Sequence, residues 1–187
     1  SAARKAGASM VNDVSGFTFD PDLLPYCSKY KLPVCVMHMQ GSPEDMQNNP
    51  KYENILIEVF DFLENQISKL VQAGISKDQI IADVGIGFGK NLKHNLTLIK
   101  NISLFHGLGV PLLLGVSRKS IINNVAKVEK MSDRVHGSIS LAISALGQGV
   151  QLFRVHDVAE TKQAFDLWVA VYFGESCAEK RFWNGWY

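Results

Sequence analysis

Short apolar runs and longer amphipathic stretches alternate along the chain as far as about residue 173. Apolar runs of four to eight residues bounded by turn residues are typical of buried strands, whereas apolar residues at three- and four-residue steps are typical of helices. The five apolar runs occupy residues 9–12, 32–37, 79–83, 110–116 and 150–155. Strands that alternate with helices predict parallel pairing with right-handed crossovers, so we expect an α/β fold.

The amphipathic stretches predict a helix after each of these strands. In chain order the predicted helices are 21–30, 50–73, 94–105, one that starts at residue 121, 133–146 and a last one from residue 158. The predicted N-caps include Asp20, Ser132 and Asp157, because short oxygen-bearing side chains accept hydrogen bonds from the first N–H groups of a helix. The last helix carries one stripe of side chains: Val158, Thr161, Phe165, Trp168 and Tyr172.

Each predicted strand ends in polar side chains. In a parallel sheet or barrel, the carboxyl ends of the strands lie on one face, and such folds bind their ligands there. We therefore expect one shared site built from the strand ends, which carry Asn12 and Asp13, His38, Asp83, Ser117 with Lys119, and Arg154 with His156.

Composition and charge narrow the classes of partner. The length of 187 residues suits one domain with a sizeable core, and 47% hydrophobic with 20% charged residues is ordinary for a globular protein. The net charge of +1 provides no broad basic field, so neither nucleic acid nor a membrane is expected as a partner. Three cysteines without CxxC spacing argue against a disulfide framework or a zinc site and favour a cytoplasmic location.

A glycine-rich segment follows the central strand. Asp83 ends that strand, and three glycines lie within residues 84–89, which we call the glycine loop. Glycine can take positive φ and lets the backbone approach a neighbour closely. An ionised Asp83 could accept two parallel N–H donors from an amidine-like ring edge, or it could cap the glycine loop. Asn12 could read the same flat heterocycle or serve as a turn residue.

Two further strand ends favour anion binding. Residues 117–120, Ser-Arg-Lys-Ser, place two cations and two hydroxyls just before a helix N-terminus. Arg118 is interpreted as a solvated surface residue, whereas Lys119 is expected to point back toward the end of the sheet. Arg154 and His156 are two positions apart, so a period of two puts both on one face, where they could bind oxygens of a phosphate or diphosphate. The remaining histidines are interpreted as structural: His38, His94, His106 and His136.

Five sequence blocks together carry a resemblance to a known family. The blocks are residues 12–16 (NDVSG), 36–41 (VMHMQG), 83–90 (DVGIGFGK), 115–120 (GVSRKS) and 154–157 (RVHD). They resemble, in the same order, the signature of the dihydropteroate synthases. The resemblance implies a (β/α)8 TIM-type barrel, of which this chain holds about the last five β/α units. It also implies a transferase of folate biosynthesis that joins 4-aminobenzoate to 6-hydroxymethyl-7,8-dihydropterin diphosphate, releases pyrophosphate, usually uses Mg²⁺ and is a sulfonamide target.

The same resemblance implies roles for individual residues. The pterin ligands would be Asn12, Met37, Asp83 and Lys119. The diphosphate ligands would be Arg154 and His156, which with Lys119 would be the catalytic residues. The 4-aminobenzoate ligands would be Phe88, Ser117, Lys119 and Ser120, with Lys90 in the same flexible loop. A homodimer with small-molecule substrates is expected on the same grounds.

The chain departs from the family pattern at two points. Valine stands at position 84, where the family usually has proline, which frees an N–H group and loosens a fixed φ. No counterpart of the family's first three strands is present, including the asparagine that would hold the metal and an aspartate that would share the pterin edge. We therefore expect no metal ligand in this chain, with Mg²⁺ carried by the substrate diphosphate, and no turnover from these 187 residues alone.

The sequence predicts two segments of the chain and leaves two alternative functions open. Residues 1–173 are assigned to the barrel domain, and residues 174–187 to a tail of different composition that contains Trp183, Trp186 and Tyr187. The alternatives are a non-catalytic, truncated remnant that binds pterin, and the pterin-binding domain of a methyltetrahydrofolate methyltransferase. The cations near the fourth and fifth strand ends favour diphosphate chemistry, since a methyl donor has no pyrophosphate to bind.

Overall fold

A parallel five-stranded sheet forms the centre of the protein. The structure is a computed structural model that describes residues 2–42 and 44–174. Each strand pairs in parallel with the next one along the chain. The strands are β1 Val11–Asp13, β2 Val34–Met37, β3 Ile80–Asp83, β4 Leu112–Leu114 and β5 Leu152–Phe153. The predicted α/β alternation is confirmed.

Helices connect the strands and cover the sheet. Among the described residues the α-helices are α1 Ala2–Lys5, α2 Leu23–Tyr30, α3 Ile55–Gln72, α4 Leu92–Lys100, α5 Ser120–Ala126, α6 Val135–Leu146 and α7 Val158–Phe173. Shorter 3₁₀ segments are Lys77–Gln79, Ile102–Leu108 and Met131–Arg134. The helix α3 packs on β2 and β3, and α6 packs on α7.

The sheet is curved, as a contact between its first and last strands shows. Neighbouring strands lie about 4.8 Å apart, so a flat sheet would separate β1 from β5 by about 19 Å. Arg154, the residue after β5, nevertheless donates from its guanidinium to Oδ1 of Asn12 in β1 at 3.0 Å. Two side chains alone do not bridge such a gap, so the strand ends bend toward one another, as they do in part of a barrel.

All five strands are shorter than the predicted apolar runs, and two of them begin directly after a proline. The strands β2 and β4 begin directly after Pro33 and Pro111, two residues later than the apolar runs suggest. Neither proline has an N–H group to donate. Their carbonyl groups still accept hydrogen bonds from Val11 and Ala82, both at 2.9 Å, so the ladder begins with acceptors only.

The helix α3 begins at Ile55 rather than at the predicted Pro50. The side chain of Asn54 accepts hydrogen bonds from the backbone N–H groups of Leu56 at 3.1 Å and Ile57 at 3.4 Å. Asparagine is among the strongest N-cap residues, and it satisfies donors that would otherwise lack a partner. The residues between Pro50 and this cap therefore belong to the preceding loop, residues 38–54, which we call the β2–α3 loop.

The helix predicted over 94–105 is divided in two. Asn91 and His94 form a capping box, in which each side chain accepts the backbone N–H group of the other residue. The box starts α4 before the predicted boundary, and α4 ends at Lys100. The 3₁₀ segment Ile102–Leu108 then follows. His94 has the structural role that was predicted for it.

The three predicted N-caps do not cap. Asp20 accepts a hydrogen bond from Asp22 at 2.9 Å in the turn before α2, which begins at Leu23. Ser132 lies inside a 3₁₀ segment, and α6 starts three residues after it. Asp157 precedes α7, but its carboxylate binds Arg118 instead of the helix N–H groups. Each side chain has a competing partner that the local sequence rule does not consider.

The buried face of α7 differs from the predicted stripe. Thr161, Phe165 and Val169 are buried, at four-residue steps, and they face the rest of the protein. Val158 and Tyr172 are 59% and 66% exposed. The stripe was therefore correct in its centre and wrong at both ends.

The core lies between the sheet and the helices that cover it. All four residues of β2 are buried, and Leu63 and Leu70 of α3 are at most 1% exposed. Removal of such side chains from water is the main stabilising contribution of a core. In the described part of the chain no helix combines the length and apolar character needed to cross a bilayer. The tail residues Trp183, Trp186 and Tyr187 lie outside the described residues.

Candidate functional site

A buried carboxylate lies at the centre of the converging strand ends. Asp83 ends β3, is 1% exposed, and is paired in register with Met37 at the end of β2. Its Oδ2 atom lies 3.5 Å from Nη2 of Arg154, and Nη1 of the same guanidinium donates to Asn12. The structure thus brings together four of the residues predicted to form the site.

The two oxygens of Asp83 have different neighbours. Oδ1 accepts the backbone N–H group of Gly85 at 2.8 Å. This oxygen therefore caps the glycine loop, which was one of the two predicted roles of Asp83. Oδ2 faces Arg154. Burial raises the pKa of Asp83, while the Gly85 N–H group and the cations of Lys119 and Arg154 oppose that rise. Oδ2 is therefore the atom that a bound N–H donor can reach.

Two glycines let the glycine loop pack directly against the β2–α3 loop. Gly85 has a φ of 70°, and a Cβ atom there would lie 1.9 Å from the carbonyl oxygen of His38. Gly89 has a φ of 63°, and a Cβ atom there would lie 2.3 Å from the carbonyl oxygen of Gln40. No side chain can occupy these positions unless the backbone moves.

Lys119 points back toward the glycine loop, in the predicted direction. Its Nζ atom donates to the carbonyl oxygen of Ile86 and lies 4.7 Å from the centroid of the Phe88 ring. Burial lowers the pKa of Lys119 to about 8, against the attraction of Asp83. Phe88 is half-buried, so part of its side chain is exposed. This pair provides a cation and a flat surface at the rim of the site.

Lys90, which the resemblance placed in a flexible loop near 4-aminobenzoate, is buried at the end of the glycine loop. The residue is 2% exposed, and its Nζ atom lies 2.8 Å from Nδ1 of His38, 2.9 Å from the carbonyl oxygen of Phe88 and 3.3 Å from that of His38. Burial lowers the pKa of Lys90 to about 7, although Asp83 opposes the fall. Burial and the nearby Lys90 lower the pKa of His38 to about 3, so its neutral imidazole accepts the hydrogen bond.

We expect Lys90 to make the protein more stable as the pH rises above 7. Its pKa is about 7 in the folded protein against an ordinary value of 10.5. Between these values the unfolded chain binds more protons than the folded one, so the free energy of unfolding rises with pH. Lys119, with a pKa of about 8, acts in the same direction. Urea unfolding from pH 7 to pH 9 measures the slope of the free energy of unfolding against pH. Above pH 9 the buried Cys35, whose pKa is about 12, lowers the free energy of unfolding as the pH rises.

Replacement of Lys90 by methionine should reduce this slope. The matched control is Lys93→Met, because Lys93 is exposed on α4. A Lys90→Met variant that keeps the slope of the parent protein would contradict the assignment of the slope to Lys90.

The strand ends after β4 and β5 are joined by two polar contacts. The hydroxyl of Ser117 accepts the backbone N–H group of His156 at 3.1 Å and lies 2.9 Å from Nδ1 of the same residue. The guanidinium of Arg118 forms two hydrogen bonds to the carboxylate of Asp157, one of them from Nε at 3.1 Å. Arg118 is therefore a connection between two loops and not the solvated surface residue that was predicted.

Arg154 and His156 are both exposed but are held by different partners. The side chain of Arg154 is 43% exposed and turns toward β1 and β3, whereas the imidazole of His156 turns toward Ser117 after β4. Arg154 and His156, two positions apart, thus contact the ends of three other strands. Ser120 is exposed as the first residue of α5.

Sequence reasoning missed the residues that hold the backbone of Arg118. Arg118 has a φ of 59°, a conformation that side chains rarely adopt. Its N–H group donates to the hydroxyl of Ser138 at 2.9 Å, and its carbonyl oxygen accepts from Arg134 at 3.0 Å. Arg134 is 8% exposed and also donates to the carbonyl groups of Val128 and Glu129. No spacing rule links these positions, so the sequence carries no signal for them.

The residues present do not fit a divalent cation. In residues 2–42 and 44–174 no group of three or more His, Cys, Asp or Glu side chains could hold a metal ion. The buried carboxylate of Asp83 is surrounded by the positive charges of Lys90, Lys119 and Arg154, which would repel Mg²⁺.

Comparison with known proteins gives the family. A family described as pterin binding enzyme matches residues 1–156. The dihydropteroate synthase of Escherichia coli (strain K12) is 44% identical over 160 residues, which are 86% of this chain and 56% of that protein. The chain therefore spans little more than half the length of the curated relatives it matches.

Solved structures agree with the sequence comparison. The dihydropteroate synthase of Yersinia pestis with a sulfonamide drug complex superposes with a TM-score of 0.86 at 40% identity, over 90% of this chain and 61% of that chain. The enzyme of Thermus thermophilus in complex with 6HMPPP gives a TM-score of 0.86 at 37% identity, over 91% and 67%. The same Thermus enzyme has also been solved with 4-aminobenzoate.

These matches explain the curved, sequentially ordered parallel sheet, which is part of a TIM barrel. The predicted fold class is confirmed. The match over residues 1–156 covers the ends of all five strands. The chain belongs to the pterin binding enzyme family.

Proposed function

We propose that this protein acts as a dihydropteroate synthase, which joins 4-aminobenzoate to 6-hydroxymethyl-7,8-dihydropterin diphosphate and releases pyrophosphate. The observation that carries the proposal is the buried carboxylate of Asp83, which contacts Arg154, the partner of Asn12, and is influenced by the charge of Lys119 beside Phe88. The Thermus complexes with 6HMPPP and 4-aminobenzoate support the choice of substrates.

Asp83 and Asn12 would hold the pterin ring. The 3.5 Å contact between Asp83 and Arg154 is long for a hydrogen bond, so a ring N–H donor can compete for Oδ2. Charge-assisted hydrogen bonds to a buried carboxylate are strong and directional. Asn12 offers a side-chain amide at the same edge, and Met37 packs beside Asp83.

Arg154 and His156 would bind the diphosphate and stabilise it as it leaves. The bond between the pterin methylene carbon and the diphosphate oxygen breaks, and negative charge develops on the pyrophosphate. Positive groups directed at that charge lower the barrier. The electron-rich pterin supports the cation-like methylene carbon. The amine nitrogen of 4-aminobenzoate forms the new C–N bond and then loses a proton to water.

The rim of the site would position 4-aminobenzoate. Lys119 places a cation near the Phe88 ring, which suits an aromatic carboxylate. Ser117 and Ser120 supply hydroxyl groups on either side of Lys119. Mg²⁺ would be bound by the substrate diphosphate and not by the described residues.

A pyrophosphate-release assay tests the function. The full-length protein that carries this sequence should release pyrophosphate only when both the pterin diphosphate and 4-aminobenzoate are present, whereas no turnover is expected from the 187 residues alone. His156→Ala should lower kcat/KM for the pterin diphosphate about 10- to 100-fold, because a hydrogen bond to a charged group contributes about 1.5–3 kcal/mol. The matched control is His136→Ala, since His136 is exposed in the first turn of α6.

Two results would favour the alternatives. Binding of the pterin diphosphate without pyrophosphate release would indicate a non-catalytic pterin-binding protein. Binding of a methylated tetrahydrofolate in preference to the diphosphate would indicate a methyltransferase domain.

We also propose a homodimer and a cytoplasmic location. The outer face of α7 exposes Leu167 and Val171, at 63% and 79%, which supports a contact with a second copy. Cys27 and Cys35 are buried free thiols, which suits a reducing compartment.

A further inference from the structure

Four successive carbonyl groups of the glycine loop each accept a hydrogen bond from a side chain outside that loop. The pairs are Lys119 to Ile86, Gln47 to Gly87 at 2.7 Å, Lys90 to Phe88 at 2.9 Å and Tyr52 to Gly89 at 2.8 Å. Loop carbonyl groups at a surface ordinarily bond to water. This loop is instead held by three different parts of the chain.

Lys90 is the buried member of this set. It shares its three donors between the carbonyl oxygen of Phe88 and the carbonyl oxygen and ring of His38, and it is 2% exposed. A lysine is rarely buried without a carboxylate in contact, and such burial is costly unless the hydrogen bonds are satisfied. Because Lys90 is buried and its ammonium group is bonded to Phe88 and His38, we expect it to act through the loop and not on a substrate.

Tyr52, in the β2–α3 loop, holds the next carbonyl group. Its hydroxyl donates to Gly89, and its half-buried ring packs against His38 and His94, with centroid distances of 6.0 Å and 4.9 Å. The ring contacts place the hydroxyl, so Tyr52→Phe removes one hydrogen bond and leaves the packing in place.

These two hydrogen bonds fix the peptide groups on the C-terminal side of Phe88. With the carbonyl groups of Phe88 and Gly89 both held, the backbone that carries the Phe88 ring cannot rotate freely. We propose that Lys90 and Tyr52 are positioning residues that hold the glycine loop so that the Phe88 ring and Lys119 together bind 4-aminobenzoate. We call the two hydrogen bonds from Lys90 and Tyr52 to the loop the clamp. The binding of 4-aminobenzoate rests on the proposed function, whereas the clamp does not.

Two measurements on the full-length protein that carries this sequence test the proposal. Amide hydrogen exchange tests whether the side chains hold the loop, and steady-state kinetics test the effect on 4-aminobenzoate binding. In Tyr52→Phe, exchange in residues 84–90 should be about fivefold faster, the equivalent of one hydrogen bond, and in Lys90→Met at least tenfold faster. The KM for 4-aminobenzoate should rise about three- to tenfold in Tyr52→Phe, with kcat and the KM for the pterin diphosphate changed less than twofold. The matched controls are Tyr30→Phe and Lys93→Met, which alter exposed residues on α2 and α4.

The outcomes discriminate between positioning and general structural support. If exchange in residues 84–90 is unchanged in both variants, the clamp is refuted. If kcat falls in proportion to the folded fraction while both KM values stay at the parent values, the two residues are structural only and the positioning role is refuted. If the parent protein releases no pyrophosphate, the proposed function and the proposed role in 4-aminobenzoate binding both fail. The exchange data still show whether Lys90 and Tyr52 hold the loop. Should Lys90→Met not fold, Tyr52→Phe alone provides all of these measurements.

Discussion

Asp83→Asn should lower the affinity for the pterin diphosphate about 10²- to 10³-fold, the equivalent of about 3 to 4 kcal/mol. Asparagine has the size of aspartate and can still accept the N–H group of Gly85 through Oδ1. In place of Oδ2 it carries an NH₂ group. The hydrogens of that group would face the N–H donors of the ring and of Arg154, so neither hydrogen bond can form. Titration calorimetry with the pterin diphosphate measures the change directly.

The matched control for this substitution is Asp78→Asn. Asp78 is exposed in the 3₁₀ segment that precedes β3, five residues before Asp83 in the same chain. This variant should bind with the affinity of the parent protein. An Asp83→Asn variant that stays folded and binds within threefold of the parent would remove the basis for the proposed pterin site.

Gly85→Ala should lower the free energy of unfolding by about 2 to 5 kcal/mol, a large fraction of the about 5–15 kcal/mol that is usual for a domain. Two costs add. A φ of 70° costs a residue with a Cβ atom about 1–2 kcal/mol. The Cβ atom would also lie 1.9 Å from the carbonyl oxygen of His38, and relief of such overpacking costs about 1–3 kcal/mol.

Gly74→Ala separates these two costs. Gly74 has a φ of 91°, but the nearest atom to its added Cβ would be the hydroxyl oxygen of Ser28 at 3.4 Å, an ordinary contact. We expect this variant to lose only the conformational part, about 1–2 kcal/mol. Urea unfolding of both variants gives the comparison. Equal losses would show that the close approach between the glycine loop and the β2–α3 loop does not constrain the protein.

Local patterns were sufficient to predict the framework of the site. Strand ends are marked by an apolar run followed by a polar residue, and in a parallel sheet this fixes which side chains meet. Asp83, Arg154 and Asn12 were identified for this reason, although 142 positions separate the last two. The helix boundaries were less accurate, because Asn54 and Asn91 are capping residues that lie inside polar stretches without another local signal.

Partnerships between distant positions were outside the reach of such patterns. A local rule assigns Asp157 to the start of α7 and Arg118 to solvent, whereas the two charges bind each other across two loops. The burial of Lys90 had no signal in the sequence, because the acceptor that makes it tolerable is the neutral ring of His38, 52 positions earlier. Each of these depends on the three-dimensional arrangement of the loops.

The order of the strands has a consequence for biosynthesis. Because every strand pairs with its immediate successor, each β/α unit can dock on the previous one as the ribosome delivers it, with little need to wait for distant segments. The hydrogen bond between Asn12 and Arg154 is different, since one half of it is translated 142 codons after the other. A nascent chain arrested before that arginine emerges should therefore already hold the earlier β/α units in their final order and still lack the guanidinium that we propose binds the diphosphate.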